Sequence, residues 1–274
     1  MSAHTPENQD KSRGPGSAAK STRDAFEGGQ LYPTATICTS ADRESPEYTQ
    51  RLLFEKLDTV RRHIQNGPML DLCCATGDHI ADLLTEGQQG IGIDFSLPFL
   101  QEARKKEMPG ITLLASDARA LPLANESTGT VYSLSALYLV PDLDKVIKEI
   151  ARVLMPGGRC ILDLGNRDSL NSYCVRNYYT ELPMSYHLPV SEMVRLCESN
   201  SLRVIEHRAF QILPLWAGRP RWLWPLLHPG WKRLMSNRIK GRMIDEWISG
   251  CKLLRRFAFR QLLVCEKARQ QENH

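Results

Sequence analysis

The segment DLCCATGD, residues 71–78, follows the apolar Pro68-Met69-Leu70 and precedes Ile80-Ala81-Asp82-Leu83-Leu84. Small residues between a strand-like and a helix-like stretch have the form of a ligand-binding turn. A dinucleotide site needs glycines at the first, third and sixth positions of G-x-G-x-x-G, so that backbone N–H groups can approach a pyrophosphate at a helix N-terminus. Counted from Cys73, those positions hold Cys73, Ala75 and Asp78, and an acidic residue stands where an anion should bind. A ligand without phosphates tolerates the extra Cβ atoms better. Two further carboxylates close or follow apolar runs, Asp94 in GIGIDF and Asp117 after ITLLAS. A carboxylate can accept hydrogen bonds from a pair of hydroxyls or from an amino group.

Groups able to move a proton are few. Tyr138, with a phenol that ionises near pH 10, is a poor base at neutral pH. His187, in NYYTELPMSYHLP, titrates in the useful range and is the better candidate, although an isolated histidine is more often a hydrogen-bonded structural residue. Asn166 and Arg167 are weaker candidates for contacts to a substrate. No HxxxH, HExxH or CxxC spacing occurs, so no metal site is expected. The eight cysteines, scattered through apolar segments, are expected to be buried reduced thiols.

The elements that must position these residues alternate. Buried strands are expected at 68–74, 90–95, 111–116, 130–137 and 159–165, with helical patterns between them. The clearest helix, PDLDKVIKEIARVL, starts at Pro141-Asp142 and stops at Pro156-Gly157-Gly158. An amphipathic helix over 46–64 precedes the first strand. A helix over 189–200, a strand over 202–212 and a last strand over 257–267 follow the fifth. Strands separated by single helices imply a doubly wound, mostly parallel α/β sheet of seven strands, with an insertion between the last two. Its ligand belongs outside the carboxyl ends of the strands, where the strand order reverses. Residues 1–25, with almost no large apolar side chains, are expected to be a disordered tail before a domain spanning 26–267.

The order of these landmarks resembles the class I S-adenosylmethionine-dependent methyltransferases of the small-molecule type. Asp71, Cys73, Ala75 and Gly77 lie on that family's D-x-G-x-G-x-G spacing, and Arg152 to Gly158 form its recurring R-V-L-x-P-G-G turn. The resemblance is strong over 68–165 and fainter over 187–212. Gly129 departs from it, standing where the family usually has an acidic residue. The resemblance implies S-adenosyl-L-methionine as cofactor, held within a core at 66–165. Asp94 would grip the ribose and Asp117 the adenine amino group, with Phe95, Ala118 and Ser133 completing the cofactor set. It also implies that His187 or Tyr138 serves any acceptor whose hydroxyl must lose a proton. Oxygen is the expected receiving atom. A nicotinamide-dependent oxidoreductase would require the absent glycines and a Y-x-x-x-K pair, which the chain also lacks. A catalytically impaired regulatory protein that binds the cofactor, and an RNA methyltransferase, stay open as alternatives.

Charge and tryptophan are concentrated at one end. Residues 201–274 hold 15 Lys and Arg against 5 Asp and Glu, leaving 20 against 26 for residues 1–200. All five tryptophans lie between 213 and 247, among arginines, lysines and four prolines that forbid one continuous helix. Three readings follow: a lid over 213–256 with its aromatics packed inward, a peripheral membrane patch serving an amphiphilic or lipid-linked acceptor, and, least favoured, a nucleic-acid surface. No secretory signal opens the sequence, and no apolar run reaches the roughly 18 residues of a membrane span. A cytoplasmic protein, with possible contact to a membrane surface, is expected; the oligomeric state is not legible.

Overall fold

The computed structural model describes residues 46–179, 185–215, 217, 219–228 and 230–269. The expected tail at 1–25 and residues 26–45 of the expected domain lie outside the described residues.

Helix α1 (Pro46–His63) lays Tyr48, Leu52, Leu57 and Val60 on the core, as its spacing requires. Strand β1 (Met69–Leu72), helix α2 (Asp78–Leu83), β2 (Gly90–Asp94), α3 (Leu97–Arg104) and β3 (Ile111–Ala115) form the first half. After them come β4 (Thr128–Ser133), α4 (Leu143–Val153), β5 (Leu154–Gly165), α5 (Leu170–Tyr178), α6 (Val190–Ser199) and β6 (Leu202–Phe210). The insertion contributes α7 (Trp224–Leu227), α8 (Gly230–Ser236), a hairpin of β7 (Arg238–Ile239) and β8 (Arg242–Met243), and α9 (Ile244–Ser249). Strand β9 (Arg260–Lys267) closes the sequence order.

The sheet runs β3-β2-β1-β4-β5-β9-β6, with β9 antiparallel to both of its neighbours and the other pairs parallel. It is the doubly wound seven-stranded arrangement expected, and its order reverses between β1 and β4. Alternate residues of each strand serve opposite faces. Leu70, Leu72, Val131 and Leu162 meet α4 and α6 on one side, while Met69, Tyr132 and Ile161 meet α1 and the insertion residues Met235 and Met243 on the other. Among the described residues, no helix is long and apolar enough to cross a membrane.

Several boundaries differ from expectation. Helix α4 ends at Val153 and β5 begins at once, so Pro156-Gly157-Gly158 is no helix stop but an irregularity inside the strand, where the pairing jumps from Thr128↔Leu154 to Thr130↔Arg159. Strand β4 covers 128–133 rather than 130–137, because Ser135 takes φ 59° and turns the chain into a 3-10 turn at Leu137–Leu139. Gly129 is explained by space: a Cβ there would lie 1.8 Å from the Asn66 carbonyl oxygen.

Candidate active site

The turn after β1 carries its chemistry in its backbone. Cys73, Ala75 and Gly77 all adopt left-handed φ, at 63°, 47° and 71°, so the alternate positions hold a glycine-type conformation although only one is glycine. At Gly77 the constraint is doubled, since a Cβ would come 2.8 Å from Met108 Cε. The N–H groups of Cys73 and Cys74 donate to the Ile93 carbonyl at 2.8 and 3.0 Å, and the Cys73 side chain packs on the core cluster beneath β1. Asp78, which argued against a phosphate, is engaged by Thr76 Oγ1 and Lys106 Nζ.

Asp94 joins this turn to β2. Its Oδ2 accepts from Ala75 N at 2.9 Å and its Oδ1 from Ser96 N at 2.8 Å, and burial raises its carboxyl above the ordinary value while these backbone donors pull it down. Each oxygen has a second lone pair for a ligand hydroxyl. Asp71, fully enclosed at the end of β1, is pushed up to about 7 by burial, with the adjacent Tyr132 hydroxyl opposing and the Asp94 charge adding. Asp71 Oδ2, Ser96 Oγ and Ser133 Oγ are buried without a hydrogen-bond partner among the described residues. They sit at or just beyond the carboxyl ends of β1, β2 and β4, and such groups call for a ligand. The turn and its orphaned atoms fit the methionyl and ribose portions of S-adenosylmethionine.

Asp117 begins the turn after β3, beside the buried Ala118, and its carboxylate takes the backbone N–H, Nε and Nη2 of Arg119 at 2.9, 3.0 and 2.7 Å. Any contact to an adenine amino group therefore uses acceptor capacity left over from Arg119. Phe95 lies between Asp94 and Ser96, half-buried beside this group.

The second cluster lies past the ends of β4 and β5. Tyr138 and His187 have ring centroids 5.7 Å apart, and Phe259 stands edge-on to His187 at 5.2 Å. The structure thus brings the two candidate proton-moving residues together. Gly165 makes room for the imidazole, since a Cβ there would lie 2.6 Å from His187 Cδ2. Ser172 Oγ spends its hydrogen on the Asn166 carbonyl at 2.6 Å, so toward His187 Nδ1 at 2.8 Å it accepts. The imidazole proton is thereby assigned to Nδ1, and Nε2 keeps a lone pair that is buried and without a partner among the described residues. Burial, with the charges of Arg260 and Arg176, lowers His187 to about 4, so it is neutral at physiological pH.

Behind these rings lies a group with no local signature in the sequence. Asp163 accepts from Lys56 Nζ at 2.7 Å and from Ser135 N at 2.9 Å. The Arg260 guanidinium, 3.7 Å from Asp163, stacks 4.7 Å from the Tyr138 ring and 4.9 Å from that of Phe259. Its members come from α1, the turn after β4, β5 and β9, and only the tertiary fold unites them. Asn166 is corrected as a substrate contact: its amide donates to the Arg256 and Ala258 carbonyls at 2.7 and 2.9 Å and ties β5 to the approach to β9. Arg167 is half exposed beside Asp168.

Residues 70–162 match the family model described as a methyltransferase domain. The chain is 42% identical over 100 residues to the demethylmenaquinone methyltransferase of Lactococcus lactis subsp. lactis, covering 34% of this chain and 40% of that protein. It is 38% identical over 109 residues to the 2-phytyl-1,4-naphtoquinone methyltransferase of Thermosynechococcus vestitus, covering 37% and 48%. The chain thus spans less than half the length of these curated relatives. Geranyl diphosphate C-methyltransferase from Streptomyces coelicolor A3(2), solved with S-adenosyl-L-homocysteine, aligns with a TM-score of 0.57 over 93% of this chain and 98% of its own, at 16% identity, a likeness of fold.

Proposed function

We propose that the chain, whose residues 70–162 match a methyltransferase-domain model, is a class I S-adenosylmethionine-dependent enzyme that moves a methyl group onto an oxygen of a small or amphiphilic acceptor. The observation that carries this reading is the turn at 73–77, held in a glycine-type conformation and clamped by Asp94 beside three orphaned buried polar atoms. Bound there, S-adenosylmethionine supplies a methyl group on a sulfonium, a leaving group that needs no further activation.

In this reading Asp71, Cys73, Ala75, Gly77 and Ser133 hold the methionyl side, Asp94 the ribose, and Phe95, Asp117 and Ala118 the adenine side. The protein's work is then alignment and exclusion of water. Tyr138 and Phe259 wall the acceptor, and His187 Nε2 takes the hydroxyl proton. An imidazole with a pKa of about 4 is sufficient, because an oxygen bearing both its proton and a new methyl group is a far stronger acid. The relatives named for demethylmenaquinone and for phytyl-naphthoquinone support an acceptor with a flat ring and an apolar tail. The domain extends over 26–267, with residues 213–256 flanking the acceptor side, and the acceptor meets the protein at a membrane surface.

Incubation with methyl-tritiated S-adenosylmethionine and a short-chain naphthohydroquinone tests the activity. Label recovered in the organic phase as a methyl ether with wild type, and not with His187→Ala, supports it, and label on a ring carbon would overturn the assignment to oxygen. Cofactor binding without transfer to any hydroxyl acceptor would instead favour the regulatory alternative, and label in RNA the nucleic-acid one.

A further inference from the structure

Two short segments that expose large apolar side chains adjoin elements that carry partners of His187. In the first, Trp222, Trp224 and Leu226 are 63%, 55% and 37% exposed, whereas Leu223 between them is buried against Cys174 and Tyr179 at α5. Helix α5 carries Ser172, the partner of His187. In the second, Leu253, Leu254 and Phe257 are 78%, 39% and 41% exposed. They directly precede Phe259, which stands edge-on to His187, and Arg260, which stacks on Tyr138, and the Arg256 carbonyl is held by Asn166. Six large apolar side chains kept in water around one site are a standing cost that a partner would relieve.

The charge of the stretches that carry them favours one kind of partner. No acidic residue occurs from 207 to 244 or from 247 to 265, while Arg221, Arg233, Lys252 and Arg256 are exposed within those stretches. A second copy of the chain would set one acid-free surface against another. A single-stranded nucleic acid would gain from the tryptophans, but leucines offer no stacking face. An anionic bilayer satisfies both components, since tryptophan settles in the headgroup layer, leucine and phenylalanine enter the acyl boundary and cationic side chains meet lipid phosphate.

We propose that Trp222, Trp224 and Leu226, together with Leu253, Leu254 and Phe257, form a docking surface for an anionic lipid bilayer that turns the His187 end of the sheet toward the membrane. The docking stands on exposure and charge alone; delivery of an acceptor out of the lipid rests on the methyltransferase reading.

Sedimentation of the full chain with vesicles tests it, using pure phosphatidylcholine against phosphatidylcholine with roughly a third phosphatidylglycerol. The wild type is expected to pellet with the anionic vesicles, and less so as salt rises. Trp222→Ser with Trp224→Ser, and Leu253→Ser with Phe257→Ser, are each expected to weaken binding about tenfold or more. Lys252→Gln with Arg256→Gln is expected to weaken it several-fold and flatten the salt dependence. Calorimetry with S-adenosylhomocysteine serves as the folding control, and each variant should bind as wild type does. Wild type left in the supernatant, variants that pellet equally, retention by RNA in place of vesicles, or a dimer formed through these residues would each overturn the docking surface. Loss of S-adenosylhomocysteine binding by the wild type would instead strike the methyltransferase reading.

Discussion

The N–H of Ala75 donates to Asp94 Oδ2 at 2.9 Å, so one carboxylate locks the turn after the first strand to the end of the second. The same group takes Ser96 N through its other oxygen. Asp94→Ala leaves two backbone donors short of a partner. It should cost about 1–3 kcal/mol of stability and at least about tenfold in affinity for S-adenosylhomocysteine. Asp94→Asn, with one acceptor oxygen, should fall between. Melting and calorimetry on the same samples check both.

Cys73 and Ala75 occupy left-handed backbone that an L side chain enters at a cost. Ala75→Gly and Cys73→Gly should each gain on the order of 1 kcal/mol in strain relief, offset in part by the greater freedom of the unfolded chain. Ala75→Val should lose more than either gains. Urea midpoints at unchanged slope report this, and a valine variant as stable as wild type would refute the conformational argument.

In the ligand-free fold Asp71 keeps its proton to about pH 7, whereas the unfolded chain releases it near 3.8. Between those values the folded state binds more protons, so this group's contribution to stability is lost as pH rises from about 4 to about 7. Asp71→Asn preserves the neutral shape and removes that slope. The variant should match wild type near pH 4 and exceed it near pH 8, by on the order of a few kcal/mol. A constant difference across the range would exclude a raised Asp71.

His187 has the opposite sign. Its folded pKa of about 4 lies below 6.5, so the unfolded chain protonates first and stability falls as pH drops from 6.5 toward 4. His187→Gln should flatten that acid limb, and His187→Ala should slow methyl transfer on the order of 10²–10⁴-fold.

Ser172 and Gly165 act through that histidine. Ser172→Ala frees the imidazole to exchange its tautomer and should cost about tenfold in kcat with little change in KM, and Ser172→Thr should restore most of it. Gly165→Ala, which places a methyl 2.6 Å from Cδ2, should displace the ring and lower kcat further. Equal rates for the alanine and threonine variants at Ser172 would remove its positioning role.

The parts of this site that were legible in the sequence are those that one turn builds. Asp71, Asp94 and Gly77 follow apolar runs at fixed spacing, so their places at strand ends could be read directly. Cys73 and Ala75 looked like defects of a glycine pattern because composition shows residue type and not φ, and the structure shows the conformation retained. Lys56, Asp163, Ser135 and Arg260 were invisible: they are brought together by the pairing of β5 with β4 and β9, across up to 204 positions of sequence. His187 could be guessed as a lone titratable group past the fifth strand, but its partner Ser172 and the room made by Gly165 could not. Asn166 misled because a polar residue just beyond a strand end serves equally well as a ligand contact or as a joint. The tryptophans were expected to pack inward in the lid reading, but among the described residues Trp222, Trp224 and Trp247 face solvent while Trp231 is half-buried.

Calorimetric titration of S-adenosylhomocysteine into the wild-type chain and into Asp94→Ala tests the central claim most directly. The account predicts saturable one-to-one binding to the wild type that weakens at least about tenfold in the variant. A wild type that releases no heat and shows no thermal shift with this ligand, while folded, would contradict it.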